Sequence, residues 1–271
     1  MSKFEILCVT MRQNDFSKIK EMNIHSDVVF SNQCDRTSYE EFEFEGHTAK
    51  MISTQTRGVG INRNLGLMYA SAEICLFADD DVTYHDDMEK RVVAEFDAHP
   101  DADVIIFHFD TDDAHKQVKY PKTKKSGWFM RMPWGGIRIA FRLESVKKAN
   151  INFNTLFGGG CLFPSGEDSI WLYDAKHKGL KFYVSNQTIG AVSYAVSSWF
   201  TGHNAHYFFG KGVFYEAVHP RSFWLWKNYF AFRTKNMTKM SASEKKKWMN
   251  HGRRAYKEML SYEDYKKKYG L

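Results

Sequence analysis

The run Glu73-Ile74-Cys75-Leu76-Phe77-Ala78-Asp79-Asp80-Asp81-Val82 decides how the chain is read. Its apolar part, Ile74 to Ala78, predicts a buried strand, and three consecutive carboxylates follow where that strand ends. Adjacent negative charges repel one another and lose hydration beside a low-dielectric sheet, so the triplet calls for a cation. Open α/β sheets bind ligands at the carboxyl edge of their strands. Mg²⁺ in particular is usually held by one or two carboxylates plus substrate phosphates. A polar turn capping the next helix would account for one or two acids; three favour a metal.

Working outward, Phe4 to Val9 predicts a first strand, Phe16 to Met22 a short helix, and Val28 to Phe30 a second strand ending in the polar turn Ser31-Asn32-Gln33-Cys34-Asp35. After a polar connection, Lys50 to Thr54 reads as a strand and Gly60 to Ser71 as a helix. Beyond the acids come a helix over Asp86 to Ala98, closed before Pro100, and a strand over Val104 to Phe109. Thr111 to Met132 reads as an exposed Lys-rich loop and Gly135 to Arg142 as a strand. A helix over Glu167 to Lys178, stopped by Gly179, precedes a strand over Lys181 to Val184. This alternation predicts an α/β fold with a mainly parallel central sheet covered by helices.

Two further constellations carry chemistry. Thr56-Arg57-Gly58-Val59-Gly60-Ile61-Asn62-Arg63-Asn64-Leu65-Gly66 turns into a helix whose free N–H groups suit an anion, with Arg63 able to approach a diphosphate; an ordinary loop with a surface Arg is the alternative. Gly158-Gly159-Gly160-Cys161-Leu162-Phe163-Pro164-Ser165-Gly166-Glu167-Asp168 brings two acids to a helix start, where a carboxylate can accept a hydroxyl proton or simply cap the helix.

In this order the three features resemble the GT-A-fold glycosyltransferases of family 2, the inverting, nucleotide-sugar-dependent class that includes capsule and exopolysaccharide enzymes. Gly60-Ile61-Asn62-Arg63-Asn64-Leu65-Gly66-Leu67 matches the family's Arg-Asn-x-Gly helix start, Phe77-Ala78-Asp79-Asp80-Asp81 its DxD, and Gly166-Glu167-Asp168 its ED acceptor-side motif. The resemblance implies a Rossmann-like nucleotide-sugar-binding domain and Mn²⁺ or Mg²⁺. It also implies a nucleotide diphosphate sugar, a UDP-sugar first, as donor and a glycan or lipid-linked oligosaccharide as acceptor in polysaccharide biosynthesis. Residue by residue, it implies Asp79 and Asp81 as metal ligands, Asp79 nearer the ribose, with Asp80 at the variable middle position of the donor site. Arg63 and Asn64 fall on the donor side, Asp168 becomes the general base, and Glu167 its neighbour toward the acceptor. Thr10 and Asp35 are donor-site candidates at the first two strand ends. There the pattern departs from the family: Val9-Thr10-Met11-Arg12-Gln13 replaces the usual Pro-x-Tyr-Asn, and the second turn reads Asn32-Gln33-Cys34-Asp35. His203, in Trp199-Phe200-Thr201-Gly202-His203-Asn204-Ala205-His206, matches by position the extra metal ligand of many GT-A enzymes; a hydrogen-bonded structural histidine is the alternative.

Two rivals stay open. A nucleotidyltransferase normally shows a basic, Gly-rich loop near the first strand, whereas residues 10 to 15 contain no glycine. A noncatalytic glycan- or membrane-binding protein could keep this fold without turnover.

Composition sets the bounds. A chain of 271 residues, 43% apolar and 26% charged, can bury a core and is not disordered. The expected division is a GT-A domain over 1–215 and a helical, aromatic and basic C-terminal extension over 216–271. Four cysteines without CxxC spacing read as reduced thiols. With the N-terminus running directly into a strand and no long apolar span, the expected location is cytoplasmic. Net charge is +6, yet residues 235 to 271 hold 11 Lys/Arg against 4 Asp/Glu, leaving 27 against 28 elsewhere. Six of the twelve residues 221 to 232 are aromatic. Either a packed helix or a surface held at an anionic membrane, on the inner face of the plasma membrane, fits that combination. No nucleic-acid-binding fold is recognised, and none is expected as partner.

Overall fold

In the computed structural model the described residues are 2–111, 120–127, 135–192 and 202–271. The chain divides into two compact units, one of Met1–Asn154 with Asp168–Val196, the other of Thr155–Glu167 with Ser197–Leu271. Most of the Lys-rich stretch Thr111 to Met132, and residues 199 to 201 of the His203 segment, lie outside the described residues.

The first unit is built on one sheet. Its strands are β1 (Phe4–Met11), β2 (Asp27–Gln33), β3 (Ser38–Phe44), β4 (His47–Thr54), β5 (Ile74–Asp79), β6 (Val82–Tyr84), β7 (Val104–Thr111), β8 (Lys124–Lys125), β9 (Ile139–Arg142) and β10 (Phe182–Val192). They lie in the order β3-β4-β2-β1-β5-β9-β7-β10-β6, with β8 on β10. Pairing is parallel through β4-β2-β1-β5 and again between β7 and β10, as the alternation predicts. Antiparallel strands are added to that parallel core. β9 slots between β5 and β7, while β3, β6 and β8 pair antiparallel with β4 and β10. The β3–β4 hairpin occupies the stretch read as a polar connection. It turns at Glu45 and Gly46, both at positive φ (49° and 83°), the requirement of a tight two-residue hairpin turn. The expected turn at Ser31–Asp35 is strand as far as Gln33, because Asn32 is buried and bonds the Gln13 backbone and Ser53.

Alternation along β1 supplies both faces of the core. Phe4, Ile6 and Cys8 meet Met22 and Ile24 and, from α3 (Met88–Ala98), Met88, Val92 and Phe96. Leu7 faces the other side, with Leu67 of α2 (Val59–Tyr69), Val146 of α4 (Leu143–Lys148) and Trp171 of α5 (Glu167–His177). The short helix expected over Phe16 to Met22 is one turn, α1 (Lys18–Glu21).

The second unit is helical, and its chemistry is local. Asn204 caps α6 (Ala205–Val218) by accepting from Tyr207 N, 3.0 Å. That helix runs through residue 215, the boundary expected from composition. After α7 (Phe223–Arg233), Ser241 and Glu244 form the predicted capping box on α8 (Ala242–Glu258). Ser261 caps α9 (Tyr262–Tyr269). α6 and α8 approach so closely that a Cβ on Gly212 would stand 2.1 Å from Met249 O, and one on Gly252 2.0 Å from Phe209 O. Phe208, Tyr215, Phe223 and Met249 form the core there. No helix among the described residues is long and apolar enough to cross a membrane.

Candidate active site

The acidic triplet stands where the sequence places it, at the carboxyl end of β5, and each acid has different company. Asp79 accepts from Arg63 Nη2 at 2.8 Å, and the Arg63 side chain is only 3% exposed. Asp80 accepts the Thr10 hydroxyl from the neighbouring end of β1, and its carbonyl takes Lys18 Nζ at 3.2 Å. Asp81 lies at the surface and, among the described residues, accepts from no cation. Lost hydration first, then the charges of Asp79 and Asp80, push its carboxyl above the usual range; the pull of Lys18 is weaker.

Arg63 is held by shape. A Cβ on Gly136, in the 3₁₀ turn Gly136–Arg138 that leads into β9, would stand 2.7 Å from its guanidinium. A side chain at 136 would push the guanidinium aside. Beneath the guanidinium lies the Phe153 ring, 5.3 Å away. Asn64 fixes that ring's backbone with both ends of its amide, accepting from Phe153 N at 2.7 Å and donating to Phe153 O at 3.0 Å. Phe153 stacks on Trp171, and Trp171 meets Phe77 edge-on at 5.4 Å, two residues before Asp79. Asp168 sits one turn ahead of Trp171 on α5, half-buried, its Oδ1 accepting from Ser169 N. An aromatic bracket thus ties Arg63, the acidic strand end and the start of α5 together. α2 itself is pinned by Asn62, which donates to Ser31 O at 2.6 Å, and by Gly66, where a Cβ would be 3.2 Å from Ser31 Oγ.

Beside this edge a cleft of about 330 Å³ is lined by Arg12, Asn14, Cys34, Asp35 and Arg36. Asp35 is 93% exposed and pairs with Arg57, which also donates to Cys34 O at 3.0 Å. Arg36 donates to Asn14 Oδ1 and Gln13 O.

Among the described residues no three His, Cys, Asp or Glu side chains converge as a complete metal cage. The donor chemistry nevertheless fits a hard cation shared with a phosphate ligand. Hard oxygen donors are present, and among the described residues Asp81 has no ion-pair partner.

The sequence profile of the family described as Glycosyl transferase family 2 matches residues 28–163, half of the chain and all of the acidic triplet. The chain belongs to glycosyl transferase family 2. Its fold is shared with the crystal structure of S. aureus TarS 1-349, at TM-score 0.60 and 14% identity over 96% of this chain and 93% of that one. The same protein in complex with UDP-GlcNAc and with UDP aligns at TM-score 0.56, also at 14% identity and with the same coverage. No curated protein sequence matches the chain.

In this glycosyltransferase the residues expected to act together divide between the units. Thr10, Asp35, Arg63, Asn64, Asp79, Asp80, Asp81 and Asp168 lie in the sheet unit; Glu167 and His203 lie in the helical one. His203 packs edge-on against Tyr207 at 4.8 Å, and burial, then Lys211 and Lys245, favour its neutral form. Sequence reasoning missed Lys18, Gly136 and Phe153. Phe153 sits in irregular chain with no periodicity to mark it. Arg138 was missed too: it is buried, lies over the Phe109 ring at 5.8 Å and donates to Phe107 O.

Proposed function

We propose that this family 2 enzyme is a metal-dependent inverting transferase that moves a sugar from a nucleotide diphosphate sugar, a UDP-sugar first, to a hydroxyl of a glycan or lipid-linked acceptor in polysaccharide biosynthesis. The observation that carries the reading is the strand-end triplet, in which Asp79 is paired with Arg63 and Asp81 has no cation within ion-pair distance among the described residues. The fold shared with TarS, whose structures include complexes with UDP-GlcNAc and UDP, supports the choice of donor.

Asp81 would hold Mn²⁺ or Mg²⁺, with Asp79 beside it, and that cation would supply positive charge opposite the leaving diphosphate. Arg63 holds the Asp79 carboxylate in place through its hydrogen bond. Thr10 locks Asp80, and the cleft of Arg12, Asn14, Cys34, Asp35 and Arg36 is offered for the nucleoside. Asn64 positions Phe153 under Arg63. Asp168 takes the acceptor's hydroxyl proton as that oxygen bonds to the anomeric carbon and the bond from that carbon to the diphosphate oxygen breaks. One displacement inverts the centre.

Incubation with Mn²⁺ and a panel of nucleotide sugars, with release of nucleotide diphosphate as the readout, tests the reading. Slow hydrolysis of a UDP-sugar, lost with chelator, is expected. Release of pyrophosphate from a nucleoside triphosphate and a sugar phosphate would instead make the chain a nucleotidyltransferase, and tight binding without turnover of any donor would make it noncatalytic.

A further inference from the structure

The helical unit exposes an apolar face on α7, away in sequence from the acidic triplet. α7 buries Phe223 and Ala231 on its inner side. On its outer side Trp224, Leu225, Tyr229 and Phe232 are 64%, 52%, 47% and 68% exposed. At about 100° per residue these four, with Asn228, fill an arc of about 140° on one side of the helix. Met237, just beyond the helix, is exposed as well. Scattered single apolar residues are normal on a protein surface, but a contiguous aromatic arc marks an interaction site.

The charges around the arc say what kind of partner it fits. From residue 217 to residue 243 the chain has Arg221, Lys227, Arg233, Lys235 and Lys239 and no Asp or Glu. None of the five has a carboxylate within ion-pair distance among the described residues. Lys235 Nζ lies 5.1 Å from the centre of the exposed Phe232 ring, and Arg233 donates to the Tyr229 hydroxyl, so cations border the apolar arc directly. Docking a second copy of this face would set like charges together, which opposes self-association. Trp and Tyr, with an apolar body and a polar tip, suit the head-group level of a bilayer, and Lys and Arg beside them suit anionic head groups. At eleven residues α7 is about 16 Å long, too short to span a bilayer and long enough to lie in its surface.

We propose that the outer face of α7, with Trp224, Leu225, Tyr229 and Phe232 at its centre and Arg233, Lys235 and Lys239 at its border, docks on an anionic lipid surface. Aromatic rings enter the head-group layer while the cations stay at phosphate level. The inference is independent of the donor and of the transfer chemistry.

Flotation of the full-length protein with vesicles of phosphatidylcholine, with and without phosphatidylglycerol, tests it. Binding is expected to the phosphatidylglycerol vesicles at low salt, to fade at high salt, and to be absent on phosphatidylcholine alone. Arg233→Gln and Lys235→Gln should each weaken it about fivefold. Trp224→Ser combined with Phe232→Ser should abolish it while UDP binding stays as in wild type. In case the double variant unfolds, quenching of the wild-type tryptophans by brominated lipid gives a second readout, which Trp224→Phe should reduce while leaving binding in place. Failure of the wild-type protein to float with anionic vesicles overturns the proposal, as does unchanged quenching in Trp224→Phe. A dimer in light scattering that Trp224→Ser dissociates overturns it too, by making the face a contact between copies.

Discussion

At the carboxyl edge of the sheet, Asp79, Asp80 and Asp81 crowd negative charge against one another; along α7 and the turn that follows, Arg221, Lys227, Arg233, Lys235 and Lys239 have no carboxylate within ion-pair distance among the described residues. Two acids of the helical unit are closely paired. Glu216, nearly buried, takes Arg253 at 2.8 Å and Lys257 at 3.3 Å. Glu258 gathers Lys268, Arg254 and Tyr269, which pull its carboxyl down to about 2. On the proposed function the sheet edge would receive a cation with a diphosphate, and on the docking proposal α7 would meet an anionic surface.

The largest effect that can break this contrast concerns Asp168, the proposed general base, whose role would be to move a proton and not to hold charge. Loss of a positioned general base typically costs about 10²- to 10⁴-fold in rate. Asp168→Asn should therefore bind UDP as wild type does and transfer slower by that factor, in single-turnover assays with a true acceptor. Wild-type turnover would move the base elsewhere. Next comes packing in the helical unit. Gly212→Ala or Gly252→Ala forces a methyl into backbone about 2 Å away, and overpacking of this kind costs about 1–3 kcal/mol against a gain of about 1 kcal/mol in helix propensity. Denaturant melts should show net destabilisation for both.

Two smaller effects sharpen the contrast itself. Asp81→Asn removes repulsion that the cation-free protein leaves in place, so in chelator it should raise stability by less than about 1 kcal/mol, because solvent screens the site, and with it the melting temperature. A drop would mean that the Asp81 carboxylate is already compensated. Glu258 gives the opposite sign. Its folded-state carboxyl lies below the ordinary value, so its contribution is present above the usual carboxylate range and lost as pH falls through about 2. Glu258→Gln should lower stability slightly at neutral pH and converge with wild type in strong acid.

The sequence carried the parallel half of the sheet because β1, β2 and β5 are short apolar runs buried on both faces. It did not show β3, an exposed edge strand in which Glu40, Glu41 and Glu43 are interspersed with Tyr39, Phe42 and Phe44 without a regular period and so carry no burial signal. In the site, the acids and Arg63 were legible as an ordered pattern, but what Arg63 does was not. Its contact with Asp79 depends on Gly136 and Phe153, about 70 and 90 residues away in the chain, and only tertiary packing joins them. Asn64 looked like a donor-site amide for the same reason, and both of its ends go to one backbone. The aromatic run of α7 could be seen but not oriented, since six aromatics in twelve residues leave no amphipathic period to read.

Calorimetric titration of UDP into the wild-type enzyme and into Asp81→Ala, each with Mn²⁺ and with chelator, tests the central claim about the acidic edge most directly. The account predicts tight binding only for wild type with Mn²⁺, with Asp81→Ala weak in both conditions. Equal Mn²⁺-dependent binding of UDP by Asp81→Ala would contradict it.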